Sequence, residues 1–248
     1  MDSATAQRLL ALNRGFYDRF GADFSATRRR LQTGVIHFLE TLTGDETILD
    51  LGCGNGELAR TLARRNHFGS YLGLDFSLPL LSDARSLPDS FSALFLMADL
   101  TSLNWEEVRR KRKEGDAALP SHFSRITCFA TLHHIPSRDL RLQLLQTVHK
   151  LLAPNGQFLP SNWQFLNSAK LRARVQPWER IGLTAGDVDE GDYLLDWKRG
   201  GEGLRYVHQF SEQELAELAD TAGFRVFESF YSDGEGGRLG LYQVWNKK

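Results

Sequence analysis

The sequence predicts an α/β fold: a seven-stranded, mostly parallel, doubly wound sheet, preceded by helices and finished by an antiparallel hairpin. Three observations predict it. Short β-branched and aliphatic runs at 47–51, 71–75, 91–97, 125–130 and 157–159 alternate with segments whose apolar residues recur at helical spacing. The first run ends in a glycine-rich turn, Gly52-Cys53-Gly54-Asn55-Gly56, where the backbone can press close to a ligand. The last two runs, Arg225 to Tyr231 and Gly240 to Trp245, are joined through Asp233-Gly234-Glu235-Gly236-Gly237, a hairpin signal. The 248 residues, 42% hydrophobic, suffice for one such domain with additions. The expected division is a helical extension over 1–44 and the α/β domain over 45–248, with an insertion at about 161–203 on the side where a ligand would sit.

From about Ala6 to Leu42 the chain reads as helices, with Val35, Ile36, Phe38, Leu39 and Leu42 as an apolar stripe that packs near the first strand. Between the helical pieces, Phe16 to Arg30 is dense in aromatics and then arginines, and reads as a solvated helix start capped by Ser25 or Thr27. The strand Thr47 to Leu51 then enters the Gly52-x-Gly54-x-Gly56 turn. Glu57 stands where a dinucleotide fingerprint needs its third glycine, and no Gly-Lys-Ser/Thr follows, which disfavours both a dinucleotide pyrophosphate and a P-loop. Asp50 adds a carboxylate facing the turn, repelling to a pyrophosphate and suited to an amino group or a sulfonium cation.

Leu58, Leu62 and Ala63 continue a helix, and the strand Tyr71 to Asp75 ends in a second acid, placed either to accept hydrogen bonds from ribose hydroxyls or to form a turn or cap before Ser77 and Pro79. A third apolar run leads to Ala98-Asp99-Leu100. Arg109 to Lys113 then brings five adjacent cations, which suit a phosphate backbone or a solvated helix end equally. After the fourth strand, Thr131-Leu132-His133-His134 stands where an open α/β sheet holds its ligand. Two adjacent histidines cannot point the same way, so His134 is assigned substrate contact or structural hydrogen bonding, and His133 a structural place. Ser137 caps a helix that Pro154-Asn155-Gly156 stops. Ser161 to Gly203 reads as irregular, with Trp163, Trp178, Trp197 and the cations Lys170, Arg172 and Arg174, a lid or substrate-binding insertion. Ser211-x-x-Glu214 is a capping box, and Gly223 ends its helix.

A net charge of −1 and a pI of about 6.7 announce no global basic field. Cys53 and Cys128 lie in apolar or glycine-rich strand ends without metal-ligand spacing, so no metal is expected and a reducing compartment is. No signal segment and no apolar run near 18 residues is seen, and the expectation is a cytoplasmic protein without a membrane partner.

Asp50 to Gly56 resembles motif I of the class I S-adenosylmethionine-dependent methyltransferases, and the resemblance covers roughly residues 45–248. It implies S-adenosyl-L-methionine as cofactor. Asp50, Gly52, Cys53, Gly54, Asn55 and Gly56 would hold its amino-acid part, Asp75 its ribose and Asp99 its adenine amino group, with Phe76, Leu100 and Phe129 completing the contacts. Five further pieces are similar, in order and separation, to the tRNA wobble-uridine carboxymethyl methyltransferases: Tyr17-Asp18, Phe24-Ser25-Ala26-Thr27-Arg28, His133-His134, Trp163, and Arg205-Tyr206-x-His208-x-Phe210. The chain departs from that pattern at Arg29-Arg30-Leu31-Gln32, at 109–113 and at Asn155. The second resemblance implies methyl esterification of the carboxylate of 5-carboxymethyluridine in tRNA. Arg28 and Arg205 would hold that carboxylate or a neighbouring phosphate, with Arg205 alternatively in a surface ion pair, and His134 and Tyr206 would position the base. It also implies a small zinc-binding adaptor protein as a possible partner. A methyltransferase for a small carboxylic acid or other metabolite is the alternative, followed by a non-catalytic nucleoside-binding adaptor.

Overall fold

The computed structural model describes residues 1–27, 29–84, 87–88, 90–102, 104, 107–108 and 120–248. Arg28 and the basic run 109–113, singled out above, lie outside the described residues. Among the described residues no helix is long and apolar enough to cross a membrane.

Seven strands form the main sheet: β1 (Ile48–Leu51), β2 (Tyr71–Asp75), β3 (Ala93–Met97), β4 (Phe123–Phe129), β5 (Leu152–Trp163), and the last two in the chain, Phe224–Ser232 and Gly240–Lys247. The strand order is β3-β2-β1-β4-β5, then Gly240–Lys247, then Phe224–Ser232 at the edge. The first five are mutually parallel, and Gly240–Lys247 runs antiparallel to both its neighbours. β1 is buried along its whole length, as a strand covered by helices on both faces must be. The sheet is therefore the doubly wound one expected from sequence.

The N-terminal region is helical as expected, but its helix boundaries differ. It opens with one helix, α1 (Ser3–Ala26), followed by α2 (Thr33–Leu39). α1 starts where Asp2 accepts the Thr5 amide at 2.7 Å, so Ser25 stands near its end rather than at its start. Phe16, Tyr17 and Phe20 recur one turn apart and are buried, which is why the segment is not the solvated helix start that its arginines suggest. α2 buries Val35, Phe38 and Leu39 in the cluster that holds Ile48 of β1.

The segment after β5 is also more regular than its composition suggests. It carries β6 (Val175–Gln176), β7 (Asp192–Trp197) and β8 (Gly203–His208), paired antiparallel in a second, three-stranded sheet. The strands are specified by what they pack on. Trp197 joins Phe16, Tyr17 and Phe20 of α1, Tyr206 joins Leu9 and Leu183, and Leu195 and Val207 join Phe165. α1 thereby packs against β8 and the helix Leu78–Ala84. After β4, α3 (Glu57–Arg64) and α4 (Leu78–Ala84) having come earlier, the chain continues with α5 (Arg138–Leu151) and later α6 (Glu212–Thr221). Ser137 and Ser211 cap the last two, each accepting an amide hydrogen bond three residues on. The capping box at α6 is one-sided, because the Glu214 carboxylate turns instead to His208 and Arg141. The final strands, now β9 (Phe224–Ser232) and β10 (Gly240–Lys247), form the expected hairpin.

Candidate functional site

A cavity of about 280 Å³ opens at the carboxyl ends of β1, β2, β4 and β5, with α1 across it. Ligands of open α/β sheets bind at this end of the strands. The volume is near that of sites enclosing one small organic ligand. Its two ends differ in chemistry.

At one end the parallel strands deliver three carboxylates to the cavity wall: Asp50, Asp75 and Asp99. Asp50 is held by hydroxyl donors on its two neighbouring strands, Tyr71 at 2.5 Å and Thr127 at 2.7 Å. Burial pushes its carboxyl up to about 6, against these two hydrogen bonds and with help from the nearby Asp75 charge. Asp75 accepts the amides of Ser77 at 2.8 Å and Gly54 at 2.9 Å. It therefore makes the turn weighed from sequence and also faces the cavity. Burial raises its carboxyl too, partly offset by these amides. Asp99 accepts the amide and hydroxyl of Thr101 at 3.0 and 2.7 Å and pairs with Arg14 of α1.

The turn between β1 and α3 lets the backbone come this close. Gly52 has φ +75°, and a Cβ there would sit 2.1 Å from the Thr131 hydroxyl oxygen. Gly54 has φ +55° with open space where a Cβ would be, and its amide orients Asp75. Cys53 and Asn55 also line the cavity, and Asn55 ties the turn to α1 by donating to the Ser25 hydroxyl at 3.1 Å. Phe76, Leu100 and Phe129 lie on the wall. Gly56 corrects the sequence reading: it is absent from the wall, and a Cβ there would meet Ala84 of α4 at 2.9 Å. That third glycine serves close helix packing.

At the other end stands Arg205 on β8, with only 4% of its surface exposed. Its guanidinium carbon lies 5.0 Å from the ring centre of Trp163, 5.5 Å from Phe16 and 5.8 Å from Trp197. Three aromatic faces thus hold a cation in the wall, where cation–π attraction strengthens as water is removed. The surface ion pair is not its setting. Tyr206, its neighbour, is a second correction. Successive strand residues face opposite ways, and the Tyr206 hydroxyl donates to Asp192 at 2.7 Å and accepts from Arg141 at 2.8 Å, fully buried away from the cavity. Burial raises that phenol well above its ordinary range. Tyr206 cannot position a bound base.

His134 lies on the wall. Its Nδ1 is 3.3 Å from the Tyr206 carbonyl oxygen, which only accepts, so Nδ1 carries the proton. Nε2 then accepts the Tyr17 hydroxyl at 3.1 Å. His133 is almost wholly buried, its Nδ1 facing the Trp163 amide at 3.3 Å, and burial drives its pKa well below the usual histidine range. It stays neutral.

Several wall residues escaped the sequence reading: Asn13, Arg14, Asn162, Asp233 and Tyr242. Asn13 donates to the carbonyls of His134 and Tyr206, both at 3.2 Å, and accepts the Tyr206 amide at 2.8 Å, so α1 fixes both the histidine turn and β8. The available signal was a polar residue on the buried stripe of Leu9, Leu10, Phe16, Tyr17 and Phe20.

Comparison with known proteins agrees with this geometry. A family model described as a methyltransferase domain matches residues 24–229. A protein of Encephalitozoon cuniculi named as a methyltransferase is 28% identical over 214 residues, 86% of this chain and 87% of its own length. The tRNA (carboxymethyluridine(34)-5-O)-methyltransferase of Schizosaccharomyces pombe is 24% identical over 87% of this chain and 89% of its own. The Arabidopsis thaliana protein of the same name is 29% identical over 59% of this chain, which spans 31% of that longer protein. Among solved structures, a SAM-dependent methyltransferase of Methanosarcina mazei superimposes with a TM-score of 0.61 at 22% identity, covering 86% of this chain and 96% of that one. The 1,6-didemethyltoxoflavin-N1-methyltransferase of Burkholderia thailandensis gives 0.64 at 17% identity, covering 100% and 92%. These two share the fold.

Proposed function

The chain belongs to the methyltransferase-domain family, and from that premise we propose that it transfers the methyl group of S-adenosylmethionine to the carboxylate of 5-carboxymethyluridine at the tRNA wobble position. The observation that carries the acceptor half is Arg205, a buried guanidinium held by three aromatic rings in the wall of the cavity. A guanidinium fork suits a carboxylate. The donor half is supported by the three strand-tip acids and the close glycine turn, which fit a ligand carrying an amino group, two ribose hydroxyls and an adenine amine.

The cofactor, when bound, supplies an electrophilic methyl group on a positively charged sulfur. The residues of the chain do the rest by holding and orienting. Asp75 accepts from ribose and Asp99 from the adenine amine, while the Gly52 to Gly54 backbone admits the amino-acid end beside Asp50. An acceptor carboxylate is already ionised at neutral pH, so no general base is required. His134, with both ring nitrogens engaged by Tyr17 and Tyr206, shapes the acceptor pocket and removes no proton. α1 lies across the cavity and Arg205 of β8 stands in its wall; holding the acceptor anion in line there favours its attack. The similarity to the fission yeast and Arabidopsis tRNA (carboxymethyluridine(34)-5-O)-methyltransferases supports the same acceptor.

Mass spectrometry of nucleosides from tRNA incubated with the protein and methyl-labelled cofactor tests the proposal. Label in the methyl ester of 5-carboxymethyluridine is expected. Transfer confined to free carboxylic acids or other metabolites would overturn the tRNA acceptor, and no transfer to any acceptor would overturn the reaction.

A further inference from the structure

We propose that the side-chain amide of Asn162 reads the hydrogen-bonding edge of the acceptor, selecting a flat heterocycle with an imide or amide edge over a simple carboxylic acid. The proposal deepens the uridine reading above and rests on it. Asn162 lies near the end of β5, directly before Trp163, whose ring stacks on Arg205 at 5.0 Å. It is 1% exposed and lines the cavity. Neither its Nδ2 nor its Oδ1 makes a hydrogen bond of regular geometry among the described residues; the amide stands beside the His133 ring, whose pKa it nudges upward against the larger effect of burial.

A buried amide left in this state is unfavourable to the fold, because both groups have lost water and gained no full partner. The neighbouring side chains show that the local backbone does not require it. The Ser161 hydroxyl accepts the Ala130 amide at 3.0 Å, and the Trp163 amide reaches His133 at 3.3 Å, so the strand end is anchored on either side of Asn162 without its help. What the amide offers is one donor beside one acceptor, about 2 Å apart in a plane. A uracil ring presents the matching pair, an N3–H flanked by carbonyl oxygens, while a carboxymethyl group on the same ring extends toward a cation. Arg205 is that cation. A small aliphatic acid would satisfy the guanidinium and leave the amide as it is.

The test uses the full-length protein loaded with S-adenosylhomocysteine and two probes, 5-carboxymethyluridine and its N3-methylated analogue, binding measured by calorimetry. The wild type is expected to bind the first at least tenfold more tightly than the second. Asn162→Leu should abolish that discrimination, weaken the first probe about tenfold or more, leave cofactor affinity within twofold, and melt no lower than wild type. Equal binding of both probes by the wild type, or discrimination that survives in Asn162→Leu, would overturn the proposal, and so would an Asn162→Leu protein that melts lower with its discrimination intact. A parallel turnover assay on tRNA separates this from the reading above: discriminating binding without ester formation defeats the proposed reaction and leaves the role of Asn162 standing, and ester formation indifferent to Asn162→Leu does the reverse.

Discussion

The two ends of the cavity are built by different means. Asp50, Asp75 and Asp99 stand at or just past the tips of parallel strands, where the sheet topology alone brings them to one wall. Tyr17, Arg205, His134 and Asn162 come from α1, β8, the turn after β4 and the end of β5, gathered where α1 packs on β8 and its Asn13 holds the histidine turn. The difference teaches that the acid end is a property of the fold, and the basic, aromatic end a property of what was added to it. Three acids line one end, suited to a cationic donor, and Arg205 stands at the other, suited to the anionic acceptor proposed.

That contrast is sharpest if each end can be damaged alone. Arg205→Leu should lower kcat/KM about 100-fold, the scale of a lost charge-assisted contact near 2–3 kcal/mol, with cofactor affinity nearly unchanged; steady-state kinetics beside calorimetry reads both, and an equal loss of both would make Arg205 structural. Asp75→Ala should do the opposite, weakening cofactor binding by about 1.5 to 3 kcal/mol, and unaltered affinity would remove the ribose assignment.

The pH dependence is next in size. Asp50 is an acid whose folded pKa is raised, from the ordinary carboxylate value to about 6. Without ligand, its contribution to stability is therefore full below the unfolded value and is lost as pH rises through about 6. A cationic amino group prefers the ionised form, so the thermal shift produced by the cofactor should shrink as pH falls below about 6, by up to about tenfold in affinity per unit. A shift that is flat between pH 5 and 7.5 would separate Asp50 from the cofactor. Smallest is Tyr17→Phe, which removes one neutral hydrogen bond to His134 and should cost about 0.5–1.5 kcal/mol in kcat/KM for the acceptor, leaving cofactor binding intact.

The acid end was legible in the sequence for the same reason that the fold builds it. Strand, glycine turn and terminal acid are contiguous, so Asp50 with Gly52 and Gly54, and Asp75 at the next strand tip, can be found from local spacing. Gly56 was misassigned because spacing cannot say whether a bare Cα faces a ligand or a helix, here Ala84. The other end depends on partners far apart in the chain. Trp197 and Tyr206 become strand residues by packing on Phe16 and Leu9, nearly 200 residues away. Without that knowledge 161–203 looks irregular. Which of Arg205 and Tyr206 faces the cavity is a matter of strand register, and a pair of adjacent polar residues carries no trace of it.

The central claim is that one cavity holds a nucleoside sulfonium at its acid end and a carboxylate at its Arg205 end. A crystal structure with S-adenosylhomocysteine bound tests it most directly. The account predicts ribose hydroxyls on Asp75, the adenine amine on Asp99, and the sulfur turned toward His134 and Arg205. Electron density for the ligand outside this cavity, or a sulfur turned away from Arg205, would contradict it.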